Sequence, residues 1–117
     1  MYNYFLLIGI ITSDVEVTEL SDGKKVVNIN LSIARDFKNS NGEYEYDNIR
    51  VSIWDFLADV AVDNLKKGCK VGLKGRISPK SEVLDGGIKT RVNNLFADRI
   101  IFFEQQQTDI IRNEIGE

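Results

Sequence analysis

From Val27 to Trp54 this chain alternates apolar and polar residues with only a short polar break, and that period of two marks it as a protein built from strands. Val27, Ile29, Leu31 and Ile33 share one parity, with Asn28, Asn30, Ser32 and Ala34 on the other. After the turn residues Asn39-Ser-Asn-Gly42, the residues Ile49, Val51 and Ile53 alternate with Asn48, Arg50, Ser52 and Trp54. Successive strand side chains point to opposite faces, so each segment buries one row and leaves the other wet. The two segments predict one long hairpin, entered through the turn signal Asp22-Gly23.

The flanking sequence supplies the remaining elements. Phe5 to Ile11 is apolar at both parities apart from Gly9, as expected of a central strand covered on both faces. Between Asp55 and Lys67 the period becomes helical, with Leu57, Val60, Ala61 and Leu65 on one stripe. Asp55 is placed to cap the start, Lys66 and Lys67 suit the last turn, and Gly68 sits where a left-handed residue ends a helix. Strand patterning resumes with Val71, Leu73 and Ile77 against Lys70, Gly72, Lys74 and Arg76. Asp85-Gly86-Gly87 then turns the chain into residues 88–103, which end in Ile100-Ile-Phe-Phe103. Three strands, a helix and two strands predict an all-β fold, a five-stranded OB-fold barrel with one α-helix between strands 3 and 4. The strand 2–3 face and long loops of that fold take oligonucleotides or oligosaccharides. With 117 residues and no repeat or linker, the chain suits one domain over 1–103 and a short acidic tail over 104–117. That tail either frays or forms a short helix through Ile110, Ile111 and Ile115.

Composition narrows the chemistry. There is no histidine, which removes the commonest general base, every Ser-His or Cys-His arrangement and the imidazole metal sites. The one cysteine, Cys69, has no partner for an internal disulfide and reads as a small half-buried strand residue. The carboxylates form no recognisable metal or acid/base constellation, and Gly-rich phosphate motifs are absent. Binding without catalysis, and without a cofactor, is the expectation. The longest apolar run, Tyr4 to Ile11, falls far short of the roughly 20 residues that span a bilayer. No Lys or Arg precedes it and no small-residue cleavage pattern follows, so a cytoplasmic, nucleoid-associated protein with no membrane partner is expected.

The formal charge of −3 argues against a nucleic-acid partner until it is divided. Glu104, Asp109, Glu114 and Glu117 against Arg112 put −3 in the tail, so residues 1–103 sum to zero. A neutral barrel still carries a basic groove if its charges are sorted by face. Lys70, Lys74 and Arg76 fall on one parity of their strand, and Lys80, Lys89 and Arg91 flank the next turn. Such a row is either a solvated face or a track for phosphates.

Trp54 is the most informative side chain. It shares parity with Asn48, Arg50 and Ser52 rather than with the apolar row. Either it is exposed for base stacking, or a bulge resets the parity or the helix covers it. Phe37 stands beside Arg35 and Lys38, as an aromatic among cations or as a core residue on the Ile33 face. Tyr44 and Tyr46 have acidic neighbours and are weaker candidates. No base-reading motif appears, so binding is expected to be largely independent of sequence.

Taken together these segments resemble the bacterial single-stranded-DNA-binding proteins over roughly residues 1–103. The resemblance rests on the opening Met1-Tyr-Asn-Tyr-Phe-Leu-Leu-Ile-Gly-Ile-Ile-Thr-Ser-Asp14, on Val26 to Ala34 with Phe37-Lys38, and above all on Asn48-Ile-Arg-Val-Ser-Ile-Trp54. Leu57 to Ala61, Asn64 to Gly68 and Val71-Gly-Leu-Lys-Gly-Arg76 continue it. It implies base stacking on Trp54 and Phe37, and DNA contact through Arg35, Arg50, Lys70, Lys74 and Arg76, with Lys38 beside them. It also implies a homotetramer wrapped by DNA, first strands meeting at a dimer interface, and roles in replication, recombination and repair. Asn48 and Glu82 stand where many members place further aromatics, and Tyr4 and Ile10 replace common basic or polar residues. The missing aromatics imply weaker stacking per barrel, and a tail without the long linker and Pro-Phe tip that recruits replication and repair proteins implies altered or missing recruitment. The alternative reading is an OB-fold accessory subunit of a replication-restart complex acting mainly through protein contacts.

Overall fold

Seven elements follow one another in the computed structural model, which describes residues 1–103: β1 (Phe5–Ile11), β2 (Val17–Glu19), β3 (Lys25–Lys38), β4 (Tyr44–Trp54), α1 (Asp55–Asn64), β5 (Lys70–Val83) and β6 (Lys89–Phe102). The strands pair in the order β1-β5-β6-β4-β3, and β1 pairs back onto β3, closing a five-stranded OB-fold barrel with its helix after the third long strand. Closure leaves few unpaired strand edges around the barrel wall.

The first strand differs from its expected form. β1 and β2 both run antiparallel on the same edge of β3, but Ile11 faces Leu31 while Val17 faces Val27. The first strand therefore uses six residues where β3 uses four, and the surplus is released as a bend over residues 12–16. The Thr12 amide and hydroxyl both donate to the Asn30 carbonyl oxygen, at 2.9 and 3.2 Å, which pins the start of the bend.

The inward rows read from the sequence form the core at their centres, with Ile33, Ile49, Ile77 and Leu57 half-buried at their ends. Ile11, Val27, Ile29, Leu31, Val51, Ile53, Val71 and Leu73 are almost completely removed from solvent, and Ala58, Ala61 and Leu65 close one end of the barrel. Each large aliphatic side chain so buried contributes roughly 1.5–3 kcal/mol of transfer free energy. The expectation that β1 is covered on both faces does not hold within one chain. Phe5 and Ile11 enter the core, whereas Leu6, Ile8 and Ile10 point outward, 53%, 44% and 41% exposed.

The helix is shorter than its pattern suggested. It ends at Asn64 with Leu65 as C-cap, so Lys66 and Lys67 lie beyond it, and Gly68 (φ +94°) serves the following turn, where its amide donates to the Ile11 carbonyl. Asp55 is not the cap: Trp54 takes that position without a side-chain bond, and Asp55 itself adopts φ +56°. The Asp55 carboxylate accepts the Lys25 amide at 3.4 Å, and Lys25 Nζ meets Asp59 at 3.3 Å, tying helix to β3. The Asp22-Gly23, Asn39–Gly42 and Asp85-Gly86-Gly87 segments all form turns with glycine at positive φ.

Two hairpins extend past the closed wall. The β3–β4 ladder runs from Val26 opposite Trp54 to Lys38 opposite Tyr44, with an irregularity between Ala34 and Lys38. The β5–β6 ladder runs from Val71 opposite Phe102 to Val83 opposite Lys89. Lys74 faces Arg99 but Gly75 faces Ala97, so Asp98 is an extra residue that bulges β6. A Cβ at Gly75 would collide with the Phe96 carbonyl oxygen and lie 2.7 Å from the Ala97 Cα, so only glycine fits there. The expectations for the tail at 104–117 fall outside the described residues.

Candidate nucleic-acid interface

A row of outward side chains crosses four strands at the middle of the barrel. Asn28 on β3 faces Ser52 on β4, Ser52 faces Phe96 on β6, and Phe96 faces Arg76 on β5. Directly opposed residues share a face, so the row forms a continuous polar and aromatic floor. Ser52 Oγ donates to Asn28 Oδ1 at 2.7 Å, fixing its β3 end.

Trp54 lies one outward step along β4 from this row. The register of β4 against β3 is unbroken from Ala34 opposite Tyr46 to Val26 opposite Trp54, so no bulge resets its parity. The indole is partly exposed and meets the Phe96 ring edge-on, with centroids 6.4 Å apart and planes at 71°. The Arg76 guanidinium carbon sits 5.2 Å from the Phe96 ring centre. Two hollows share this aromatic pair. One, of about 420 Å³, is bounded by Lys24, Trp54, Asp55, Arg76, Phe96 and Asp98. The other is an open groove of about 800 Å³, with Asn48, Arg50, Ser52 and Trp54 on one side and Ser78, Lys80, Glu82, Asn93 and Asn94 on the other.

The remaining sequence-derived candidates separate into groups. Phe37 is 69% exposed, near the β3 irregularity, and does not join the core. Lys38 Nζ lies 5.6 Å from the Tyr44 ring centre, beside it on the hairpin. Arg50 reaches the groove wall and, among the described residues, has no ion-pair partner. Arg35 is differently placed. Its Nη2 is 2.9 Å from Asp47 Oδ1 and its Nη1 is 2.9 Å from Glu45 Oε2. The hydrogen bond from Arg35 holds the Asp47 carboxyl below its ordinary range, and the same bond raises the guanidinium.

The basic row expected on β5 divides. Arg76 turns to the Phe96 side, whereas Lys74 and Lys70 stand opposite Leu6 and Ile10 of the outward β1 face. Lys74 Nζ is 5.7 Å from the Tyr4 ring centre and Lys70 Nζ 5.0 Å from that of Phe103. Lys24 and Phe96, which both line the smaller hollow, are among the lining side chains that the sequence did not single out. For Phe96 the concealment came from the run Leu95-Phe-Ala97, which reads as continuous core.

Sequence comparison addresses the same region. Residues 2–103 match the single-strand binding protein family, nearly the whole of the chain. The chain belongs to this family. It is 32% identical to single-stranded DNA-binding protein B of Bacillus subtilis (strain 168), over 89% of this chain and 92% of that protein. It is 32% identical to single-stranded DNA-binding protein 3 of Listeria innocua, over 92% of this chain and 67% of the relative. With single-stranded DNA-binding protein 1 of Lactococcus lactis subsp. lactis the identity is 33%, over 92% and 72%. Membership puts the chain among binding proteins rather than enzymes, in accord with the histidine-free composition. In this family member both Asn48 and Glu82, the positions noted for missing aromatics, line the groove beside Trp54. No helix among the described residues is long and apolar enough to cross a membrane.

Proposed function

We propose that this protein binds and protects single-stranded DNA, largely without regard to sequence, during replication, recombination and repair. The observation that carries the reading is Trp54, turned outward on an unbroken strand at the junction of two hollows. An aromatic face stacks on any base, supplying roughly 1–3 kcal/mol per base, while cations beside it follow the phosphates. Trp54 is the principal stacking ring, with Phe37 a second on the neighbouring hairpin. Arg50 and Arg76 serve the groove, Lys38 and Arg35 the hairpin, and Lys70 and Lys74 extend the path around the barrel. Family membership and relatives named single-stranded DNA-binding proteins support the ligand, and no observation favours the replication-restart alternative.

The oligomer proposed with this function is a homotetramer. Leu6, Ile8 and Ile10 form an outward apolar row on β1, with Tyr4 just ahead of it, and burial against a second copy removes that row from water. In this reading residues 1–103 are the binding domain and the acidic tail over 104–117 meets replication and repair proteins in the cytoplasm and nucleoid.

Titration of a labelled dT oligomer at two salt concentrations, with solution mass measured alongside, tests the reading. The expected results are saturable quenching of Trp54 fluorescence, affinity that falls steeply with salt, and a tetramer mass. Trp54→Ala is expected to weaken binding by about fivefold to a hundredfold. Unchanged affinity in that variant removes the site, and a monomer at micromolar concentration removes the assembly.

A further inference from the structure

We propose that Phe96 is a positioning residue of the DNA site, the joint that holds the Trp54 indole and the Arg76 guanidinium in one stack. The inference rests on the single-stranded-DNA reading given above. Its basis is a contiguous set of three groups from three strands: Trp54 on β4, Phe96 on β6 and Arg76 on β5.

The position of Phe96 is imposed by the backbone. Its pairing with Ser52 on one side and Arg76 on the other puts it on the outward face, between the two strands that carry the indole and the guanidinium. Gly75 lets β5 and β6 approach so closely that no side chain fits between them, which leaves the Phe96 backbone little room to shift. Phe96 is also bordered by both hollows, so it forms part of the ridge between them rather than lining only one.

The chemistry of the three groups is complementary. A ring is negative on its faces and positive at its edge, which favours the edge-to-face meeting with Trp54 and the cation set over the ring. Arg76 has no carboxylate partner among the described residues, so the ring, not an ion pair, orients its guanidinium. Held this way, the planar fork of Arg76 keeps its donors available to a phosphate while its plane remains near the ring. Trp54 is meanwhile restrained against rotation by the same ring, and a restrained indole loses less rotamer freedom when a base stacks on it. Base stacking and phosphate contact are thereby made one unit. Phe96 takes on part of the task left by Asn48 and Glu82, which offer the groove no ring.

The test compares Phe96→Leu and Phe96→Tyr with the unaltered chain by anisotropy of a labelled dT oligomer across a salt series and by quenching of Trp54, with Trp54→Ala followed by anisotropy alone. Circular dichroism melting checks that each variant is folded. Phe96→Leu is expected to weaken binding by about fivefold or more, the lower end of one base stack. It is also expected to reduce the maximal Trp54 quenching, and to flatten the salt slope by up to about one ion as Arg76 loses its orientation. Phe96→Tyr, which keeps the ring, restores all three. Native affinity, quenching and slope in Phe96→Leu overturn the inference while leaving the groove reading intact, provided Trp54→Ala is weakened. Failure of Phe96→Tyr to restore binding in a folded protein also overturns it. Unchanged binding in Trp54→Ala overturns the groove reading and this inference together.

Discussion

Arg35 on β3 grips Asp47 on β4 with two nitrogens, Nη2 at 2.9 Å and Nε at 3.2 Å from the same carboxylate oxygen, while its Nη1 holds Glu45. A guanidinium matched by two carboxylates offers little net charge to a passing phosphate. Within the β3–β4 hairpin the Arg35 cation proposed for the DNA path is thus held in exposed ion pairs that a phosphate must compete with.

Releasing that cation is expected to strengthen binding. Asp47→Asn keeps the shape of the side chain and removes its charge, leaving Arg35 with Glu45 alone. Exposed ion pairs are worth only a few tenths to about 1 kcal/mol, so affinity for a dT oligomer is expected to rise roughly twofold to fivefold. The salt dependence should steepen by about one ion. Unaltered affinity and slope in Asp47→Asn show that Arg35 lies off the DNA path.

The same pair predicts an acid response of definite sign. The Asp47 carboxyl is held below its ordinary range by the hydrogen bond from Arg35, so its folded pKa lies under its unfolded one. Its stabilising contribution is therefore fully present above the ordinary carboxylate range and is lost as pH falls through the depressed folded pKa. Following the Asp47 carboxyl by NMR should give a midpoint below the ordinary aspartate range. Arg35→Lys, which replaces the fork with a single ammonium, should move that midpoint up. An Asp47 midpoint within the ordinary aspartate range, or one that Arg35→Lys leaves in place, removes the prediction.

Packing around Gly75 predicts a stability effect. Gly75→Ala places a methyl group against the Phe96 carbonyl and the Ala97 Cα, both of them backbone and neither able to swing aside. Thermal or denaturant unfolding should show a loss above about 2 kcal/mol, in the range of overpacked cores. Phe56→Ala, at a side chain 79% exposed on the helix, should change stability by no more than about 0.5 kcal/mol. A tolerated Gly75→Ala means that the β5–β6 approach can relax.

Much of the barrel is legible in the sequence because period-two alternation is a direct imprint of a pleated wall. The rows Val27–Ile33 and Ile49–Ile53 need no tertiary knowledge to be assigned inward, and Trp54 is found by breaking their rule. The outward face of β1 was not separable from a covered one, because an apolar run has the same composition whether or not the chain itself covers both of its faces. Phe96 was missed for a different reason. Counting alternate residues back from Ile100, which packs on the core, puts Phe96 on the inside, and the single added residue Asp98 reverses that count. A bulge is a matter of partner strand and register, which one strand's sequence does not carry. The dividing of Lys70, Lys74 and Arg76 between two surfaces has a similar origin, since parity says nothing about the curvature of a closed wall.

The two long hairpins are braced unequally along their length. Near the closed wall, β5 is flanked by β1 as far as Gly75 and β6 by β4 at Phe96 and Ala97; beyond those residues the ribbon up to Val83 and Lys89 has no third strand. The β3–β4 ribbon is likewise alone past Ile33 and Asp47, and the β5–β6 ribbon supplies Ser78, Lys80, Glu82, Asn93 and Asn94 to the open groove. Two-stranded ribbons are the marginal part of any sheet and yield before the parts held on both edges. The floor of the groove is therefore stiff and its β5–β6 bank compliant, so the width of the channel is set as much by what lies in it as by the barrel beneath.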